Sequence, residues 1–250
     1  MRYNDISGLS VDEVKNKILN DCKSFHDEFI SNGIKVYRIQ ESTETFIKQN
    51  TIKKRKPFGW LGKFPSSITD YLDKILFTDN GICSRIHNAL YTITSSPDST
   101  AVGIIGEQYW CVPIGNYTYS YISGIEDFNY PNDDVSFLNT AKSCLLSISN
   151  IYEIELSELK MVIECSDSDL KSVVADLFGI TTVDGNDDAA KFLGYVEKAR
   201  DAISKIPSAY TNNRITDTLY KPTEVLFNCE TFYLFSVEKY DLMDIFGITK

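Results

Sequence analysis

The sequence predicts an α+β fold with a mixed or antiparallel, split β-sheet core, flanking helices and a mostly helical insert. β-branched and aromatic runs occur in the first half of the chain and return only near its end. Residues between about 131 and 210 instead carry apolar residues at helical spacing. With 250 residues, the chain can bury a large core. We therefore expect a single domain, with a sheet core over 1–130 and 211–250 and an insert over 131–210.

The first predicted element is a helix. Ser10 followed by Glu13 has the pattern of a capping box, and apolar residues then recur every three or four positions. We expect this helix over about 11–31, ended near Gly33.

Alternation over 34–39 predicts the first strand, with Arg38 on the opposite face from Tyr37 and Ile39. An arginine in this position is either a surface or ion-paired residue or a ligand for an anion. Its planar fork suits a phosphate better than a lysine does.

A polar and basic stretch over 51–65 predicts a loop, since proline and glycine interrupt it. It contains the basic run Lys53–Lys56, with Trp60 and Phe64 nearby. These residues either stack on and neutralise a nucleotide or dock the loop on the core. A helix is expected over about 66–78.

Three further strands are predicted over 91–94, 109–114 and from 117 onward. Hydroxyl side chains crowd the end of the first of these, at Thr94 and Ser95. Such residues usually form turns and caps, but they also suit contact with a polar ligand at a strand end.

The insert has helical patterns over 135–149, 167–178 and 187–206, with one possible strand over 160–163. The β pattern returns over 224–237, as two strands or as one long bent strand, and Glu224 opens it just after Pro222. A last helical turn or an edge strand is expected over 240–248.

Composition restricts the classes of function. The net charge of −10 argues against duplex nucleic acid as a partner for the whole surface. The chain has neither an apolar run long enough to span a membrane nor a signal-peptide core, so we expect a cytoplasmic protein without membrane contact. Its six isolated cysteines resemble buried apolar residues, and with two histidines no metal site is predicted. A nuclease or hydrolase ranks low for the same reason.

The order of these elements resembles the ADP-ribosyltransferase-like fold, with an early strand arginine, a middle strand Ser/Thr cluster and a late strand glutamate. Short motifs are also similar to a class of uncharacterised tailed-phage proteins. These motifs are Tyr37-Arg38, Lys53–Pro57, Ser84-Arg85, Leu90-Tyr91, Val112-Pro113-Ile114-Gly115 and Glu224-Val225-Leu226-Phe227-Asn228-Cys229.

The resemblance implies a phage-type enzyme that transfers ADP-ribose from NAD to a host macromolecule, either protein or nucleic acid. Glu224 would then be catalytic, because a carboxylate stabilises the oxocarbenium-like transition state. Arg38 would hold a phosphate or ribose, and Thr94 or Ser95 would hold the nicotinamide ribose. Tyr109 and Trp110 would enclose the nicotinamide ring.

A second hypothesis is a non-catalytic phage protein on the same scaffold, which binds or inhibits a host or defence component. The acidic insert or the basic loop would form its contact surface. Either protein would act in the host cytoplasm. The two hypotheses differ in whether Arg38, Thr94 and Glu224 meet in one cleft.

Overall fold

The computed structural model describes residues 3–5, 9–41, 45–51, 89–94, 106–125, 136–219 and 222–246. The basic run Lys53–Lys56, the helix expected over 66–78 and the candidate ligand Ser95 lie outside the described residues. The described residues divide into two compact units. The sheet unit contains residues of the ranges 3–51, 89–125 and 210–246, and the helical unit contains 136–209.

The α+β class is confirmed, because the sheet unit is built on one antiparallel sheet and both units contain helices. The eight strands have the order β1-β3-β8-β5-β2-β4-β7-β6, and all neighbouring pairs are antiparallel. The strands are β1 Tyr3–Asp5, β2 Tyr37–Gln40, β3 Phe46–Asn50, β4 Ala89–Ile93, β5 Glu107–Pro113, β6 Thr118–Tyr121, β7 Glu224–Asn228 and β8 Thr231–Ser236. The late β pattern therefore forms two strands.

Two residues connect β7 to β8, although three strands lie between them in the sheet. Four steps between neighbouring strands of a flat sheet would separate them by about 19 Å. The chain from Asn228 to Thr231 spans at most about 11 Å. The sheet must therefore curl, so that the end of β7 approaches the start of β8.

The first predicted helix is present but interrupted. The α1 helix, Val11–Asp21, begins at the predicted capping box: the Glu13 amide donates to Ser10 Oγ at 3.3 Å, and the Ser10 amide donates to Glu13 Oε2 at 2.8 Å. A break at Cys22 separates it from α2, Lys23–Glu28. A short 3-10 turn then ends at Gly33, whose φ of 76° is left-handed.

Aromatic rings form the core between these helices and the sheet. Phe25 and Phe29 stack with their ring centroids 4.8 Å apart, and Phe29 contacts Phe227 and Tyr119 at 5.2 and 5.0 Å. The last helix, Leu242–Phe246, packs against α1. Within the described part of the pattern predicted over 240–248, Leu242–Phe246 thus form a helical turn and not an edge strand.

The helical unit contains α3 Ser136–Tyr152, α4 Leu156–Glu164, α5 Leu170–Leu177, α6 Asp187–Ser204 and α7 Ile206–Ala209; the helix Leu242–Phe246 of the sheet unit is α8. Tyr152, Phe178 and Phe192 pack edge to face, with centroids 5.0 to 5.8 Å apart. Neither unit contains, among its described helices, one with the length and apolar character needed to cross a bilayer.

The strand predicted over 160–163 is wrong, because these residues lie in α4. Glu155 and Glu158 form a capping box that starts this helix. Leu159, Val162 and Ile163, which are three and four residues apart, are buried on one face. The helical period therefore outweighs the β preference of the β-branched pair.

Four of the five described cysteines are buried, as predicted, and Cys165 is not. Cys22, Cys111, Cys144 and Cys229 are buried free thiols, and Cys165 is a partly exposed one. Burial raises the pKa of each of the four buried thiols. They therefore remain neutral near pH 7 and pack as small apolar side chains.

Candidate functional site

The strand register places the side chains of Trp110 and Glu224 on the same face of the sheet. Tyr37 pairs with both Trp110 and Ile93, and Ile93 pairs with Glu224. Residues directly opposite each other in a ladder point to one face. Trp110, Tyr37, Ile93 and Glu224 therefore form one row on a single face, across β5, β2, β4 and β7.

Arg38 and Tyr109 lie on the opposite face, because they pair with each other one position further along β2 and β5. Thr94 follows Ile93 and continues the contact with the β7 segment, where its amide donates to Thr223 O at 3.1 Å. By alternation it belongs to the Arg38 side. The register thus brings Arg38, Thr94 and Tyr109 to one face and does not bring Glu224 to it.

Glu224 is held by its backbone at the start of β7. Its amide donates to Ile125 O at 2.6 Å, and its side chain is half-buried. It lies two strands away from Arg38 in the sheet, which corresponds to about 10 Å between backbones.

Thr94 is buried, and its hydroxyl donates to a backbone carbonyl. Thr94 Oγ1 lies 3.3 Å from Thr218 O, in the 3-10 turn Ile215–Leu219. The Thr218 hydroxyl in turn donates to Ile215 O at 2.7 Å. Because its proton is used inside the protein, the Thr94 hydroxyl could meet a ligand only as an acceptor.

The two aromatic candidates also have structural contacts. The Trp110 ring packs on Tyr37 at 4.5 Å between centroids, and Trp110 Nε1 donates to Tyr240 O at 2.8 Å. Tyr109 is fully buried, with its hydroxyl 3.4 Å from a Glu107 carboxylate oxygen. Trp110 therefore anchors the segment that leads into α8.

Arg38 has the most unusual environment of the predicted residues. Its Nη1 donates to Tyr91 O in β4 at 2.8 Å. The β2 and β4 backbones pair only at Tyr37 and Ile93, so the guanidinium bonds a carbonyl that β2 itself does not reach. Arg38 Nε is buried and has no hydrogen-bond partner within the described part of the chain.

Two thiols and one aromatic ring lie in the neighbourhood of this guanidinium. The centroid of Phe232 lies 6.0 Å from Arg38 Cζ, and the charge of Arg38 acts on Cys111 and Cys229. Burial raises the pKa of Cys229 to about 11, against the opposing effects of the Thr51 hydrogen bond and Arg38. Burial lowers the pKa of Arg38 itself. Neither thiol is therefore a counterion at neutral pH.

No carboxylate of the described residues forms an ion pair with Arg38. Arg38 as a whole is half-buried, so part of its side chain stays exposed to water while Nε does not. The described contacts of the guanidinium are therefore one hydrogen bond to a backbone carbonyl and one aromatic ring.

Two carboxylates that the sequence analysis did not single out bind buried or partly buried tyrosines. Glu28 accepts hydrogen bonds from the Tyr119 hydroxyl at 2.7 Å and the Tyr117 hydroxyl at 2.9 Å. Asp21 accepts one from the Tyr233 hydroxyl at 2.5 Å. These contacts join α1 and α2 to residues that are far away in sequence. No local sequence pattern predicts them.

No protein-family model, no curated protein and no solved structure is significantly similar to this chain. Within the described ranges, no group of three or more His, Cys, Asp or Glu side chains could hold a metal ion.

Proposed function

We propose that this protein is a non-catalytic binding protein that acts on a macromolecular partner through its surface. The supporting observation is the register, in which Glu224 lies on the other face of the sheet from Arg38 and Thr94. Splitting NAD needs a carboxylate within reach of the ribose that the other two residues would hold. The hydroxyl of Thr94 and one donor of Arg38 also serve backbone carbonyls instead.

The charge of the protein supports a basic partner. The chain carries a net charge of −10, and residues 136–209 contain twelve acidic and seven basic side chains. Such a surface attracts basic partners and repels acidic ones. The resemblance of its short motifs to tailed-phage proteins makes a host component the partner that we propose.

The second candidate is an NAD-dependent ADP-ribosyltransferase. It is favoured by the shared face of Arg38, Thr94 and Tyr109 within an antiparallel sheet. In this mechanism Arg38 would hold the diphosphate of NAD, and Glu224 would have to approach the same ligand from the strand end.

The experiment that separates the two functions is NAD turnover by the full chain. We expect no release of nicotinamide by the wild-type protein and no difference in the Glu224→Gln variant. Release that Glu224→Gln abolishes while NAD binding is retained would overturn the binding function and establish the enzyme.

The binding function makes a separate prediction about the acidic surface. Asp176 and Glu197 are exposed on the helical unit, so reversing both to lysine should weaken capture of the partner from a host lysate. The matched control reverses Glu41 and Glu238, which are exposed on the sheet unit. Equal capture by both double variants, quantified by mass spectrometry, would reject the helical unit as the contact surface.

A further inference from the structure

The negative charge of the helical unit is concentrated in one segment. Residues 153–176, which contain α4 and α5, carry seven acidic and two basic side chains. The remaining residues of 136–209 carry five of each sign. Segment 153–176 therefore holds the whole excess of negative charge in this unit. We refer to its exposed side chains as the α4–α5 surface.

Packing within the helical unit determines which sides of α4 and α5 face solvent. Both helices contact α6, and they also contact each other. Leu159, Val162 and Ile163 bury one side of α4. Arg200 of α6 holds the link between the two helices, because its Nη2 donates to Cys165 O at 2.8 Å. Two packed helices thus present the α4–α5 surface.

An apolar side chain lies within this acidic surface. Met161 is 45% exposed and points away from the buried side of α4. Glu158 and Glu164 are three positions before and after it, so their carboxylates flank it on neighbouring turns. Ile151, two residues before Glu153, is 60% exposed. The two most exposed large apolar side chains of the described residues therefore lie in or beside the acidic segment.

These properties define the chemistry of a partner. The excess negative charge attracts lysine and arginine side chains and repels polymers of phosphate. The flexible thioether of Met161 suits contact with an apolar side chain. The described residues of the helical unit form no strand, so a partner segment does not bind there by extending a sheet. An amphipathic helix, which binds through its side chains, fits such a surface.

We propose that the α4–α5 surface binds a basic amphipathic helix of the partner, with an apolar side chain on Met161 between Glu158 and Glu164. This inference rests on the proposed binding function and specifies its contact surface and the chemistry of its partner. Lys160 lies 3.7 Å from Glu164, but an exposed pair of this kind is weak and leaves the carboxylate available.

The direct test is fluorescence anisotropy of a labelled synthetic peptide, titrated with the full-length protein. The probe has about 14 residues, or roughly four helical turns, with leucine at positions i, i+3, i+4 and i+7 and lysine elsewhere. A control peptide has the same composition, rearranged so that no apolar helix face forms. We expect the amphipathic probe to bind roughly fivefold more tightly or better, because only its helix joins an apolar face to a basic one.

The variants separate the apolar contact from the charge. Met161→Gln removes the apolar contact without adding charge, so affinity for the amphipathic probe should fall by roughly fivefold or more. The matched control Leu19→Gln changes an exposed apolar residue of α1 and should leave the affinity unchanged. Combining Glu164→Gln with Asp176→Asn should weaken binding at low ionic strength, and this loss should shrink as sodium chloride is added. Circular dichroism verifies that each variant is folded.

Three results would overturn the proposal: no binding of the amphipathic probe, equal affinity for the two peptides, or equal affinity of Met161→Gln and Leu19→Gln. Each of them would leave the proposed binding function in place, because that function is judged by NAD turnover and by capture of a partner from a lysate. Nicotinamide release that Glu224→Gln abolishes would instead reject the binding function, whatever the peptides show.

Discussion

At the scale of single residues, the side chains proposed as ligands serve first as donors to backbone carbonyls. Arg38 donates to Tyr91 O, and Thr94 donates to Thr218 O. Trp110 donates to Tyr240 O. A polar side chain in a strand can therefore bind a ligand, or it can donate to a backbone carbonyl that the sheet does not use. Only the position of such a carbonyl in the fold distinguishes the two roles.

Glu28 provides a prediction at this scale. Its carboxylate accepts from both Tyr117 and Tyr119, and Glu28→Gln replaces one of the two acceptor oxygens by a donor. We expect this variant to lower the free energy of unfolding by about 1.5–3 kcal/mol. Urea denaturation measures the change.

The control for this prediction is Asp27→Asn, an exposed neighbour whose carboxylate lies 2.9 Å from His26 Nδ1. It should change stability by less than about 0.5 kcal/mol. A Glu28→Gln variant as stable as this control would mean that the two tyrosine contacts contribute nothing.

At the scale of elements, local sequence signals mark the starts of helices, whereas some strands have no local signal. The capping boxes at Ser10 and Glu155 mark the starts of α1 and α4. Strand β3, Phe46–Asn50, has a polar sequence without clear alternation, and it forms because β8 supplies its ladder partner. Strand formation there depends on a neighbour that is distant in sequence.

Alanine substitutions at two glycines should change the stability of the protein in opposite directions. A Cβ on Gly106, just before β5, would lie 2.8 Å from the backbone C and O of Gln40, so Gly106→Ala should destabilise the protein. Gly194 lies inside α6, where a Cβ would have open space. Gly194→Ala should stabilise the protein by about 0.5–1 kcal/mol, because alanine favours the helix.

Thermal unfolding of the two alanine variants beside the wild type checks both signs. A Gly106→Ala protein as stable as the wild type would show that β2 and β5 tolerate wider spacing at this point. A Gly194→Ala protein that is less stable than the wild type would show that the space around residue 194 is not open to a Cβ atom.

At the scale of the whole molecule, the acid limit of stability should depend on Asp21. Burial tends to raise the pKa of this carboxyl, but hydrogen bonds from Tyr233 and Lys17 and the charges of Lys17 and Lys48 together lower it. A carboxyl whose pKa is lowered on folding stabilises the protein above its unfolded pKa, and that contribution is lost as the pH falls through the folded value.

Stability measured by urea denaturation should therefore decline below about pH 4, and Asp21→Asn should flatten this decline while lowering stability at pH 7. Asp12→Asn, on the exposed surface of α1, is the matched control and should leave the decline in stability below pH 4 unchanged. An identical pH profile for wild type and Asp21→Asn would exclude Asp21 as a source of the acid sensitivity.

The sequence by itself determined the α+β class, the start of the first helix and the helical patterns over 135–149, 167–178 and 187–206, because periodicity and capping act over a few residues. The tertiary structure alone decided the strand order, the division of the late β pattern into two strands and the face on which each candidate residue lies. Register joins strands far apart in the chain, and a shift of one residue exchanges the two faces. The sequence thus indicated Arg38 and Glu224 as candidate residues, whereas their position on opposite faces of the sheet depended on how β2, β4 and β7 pair.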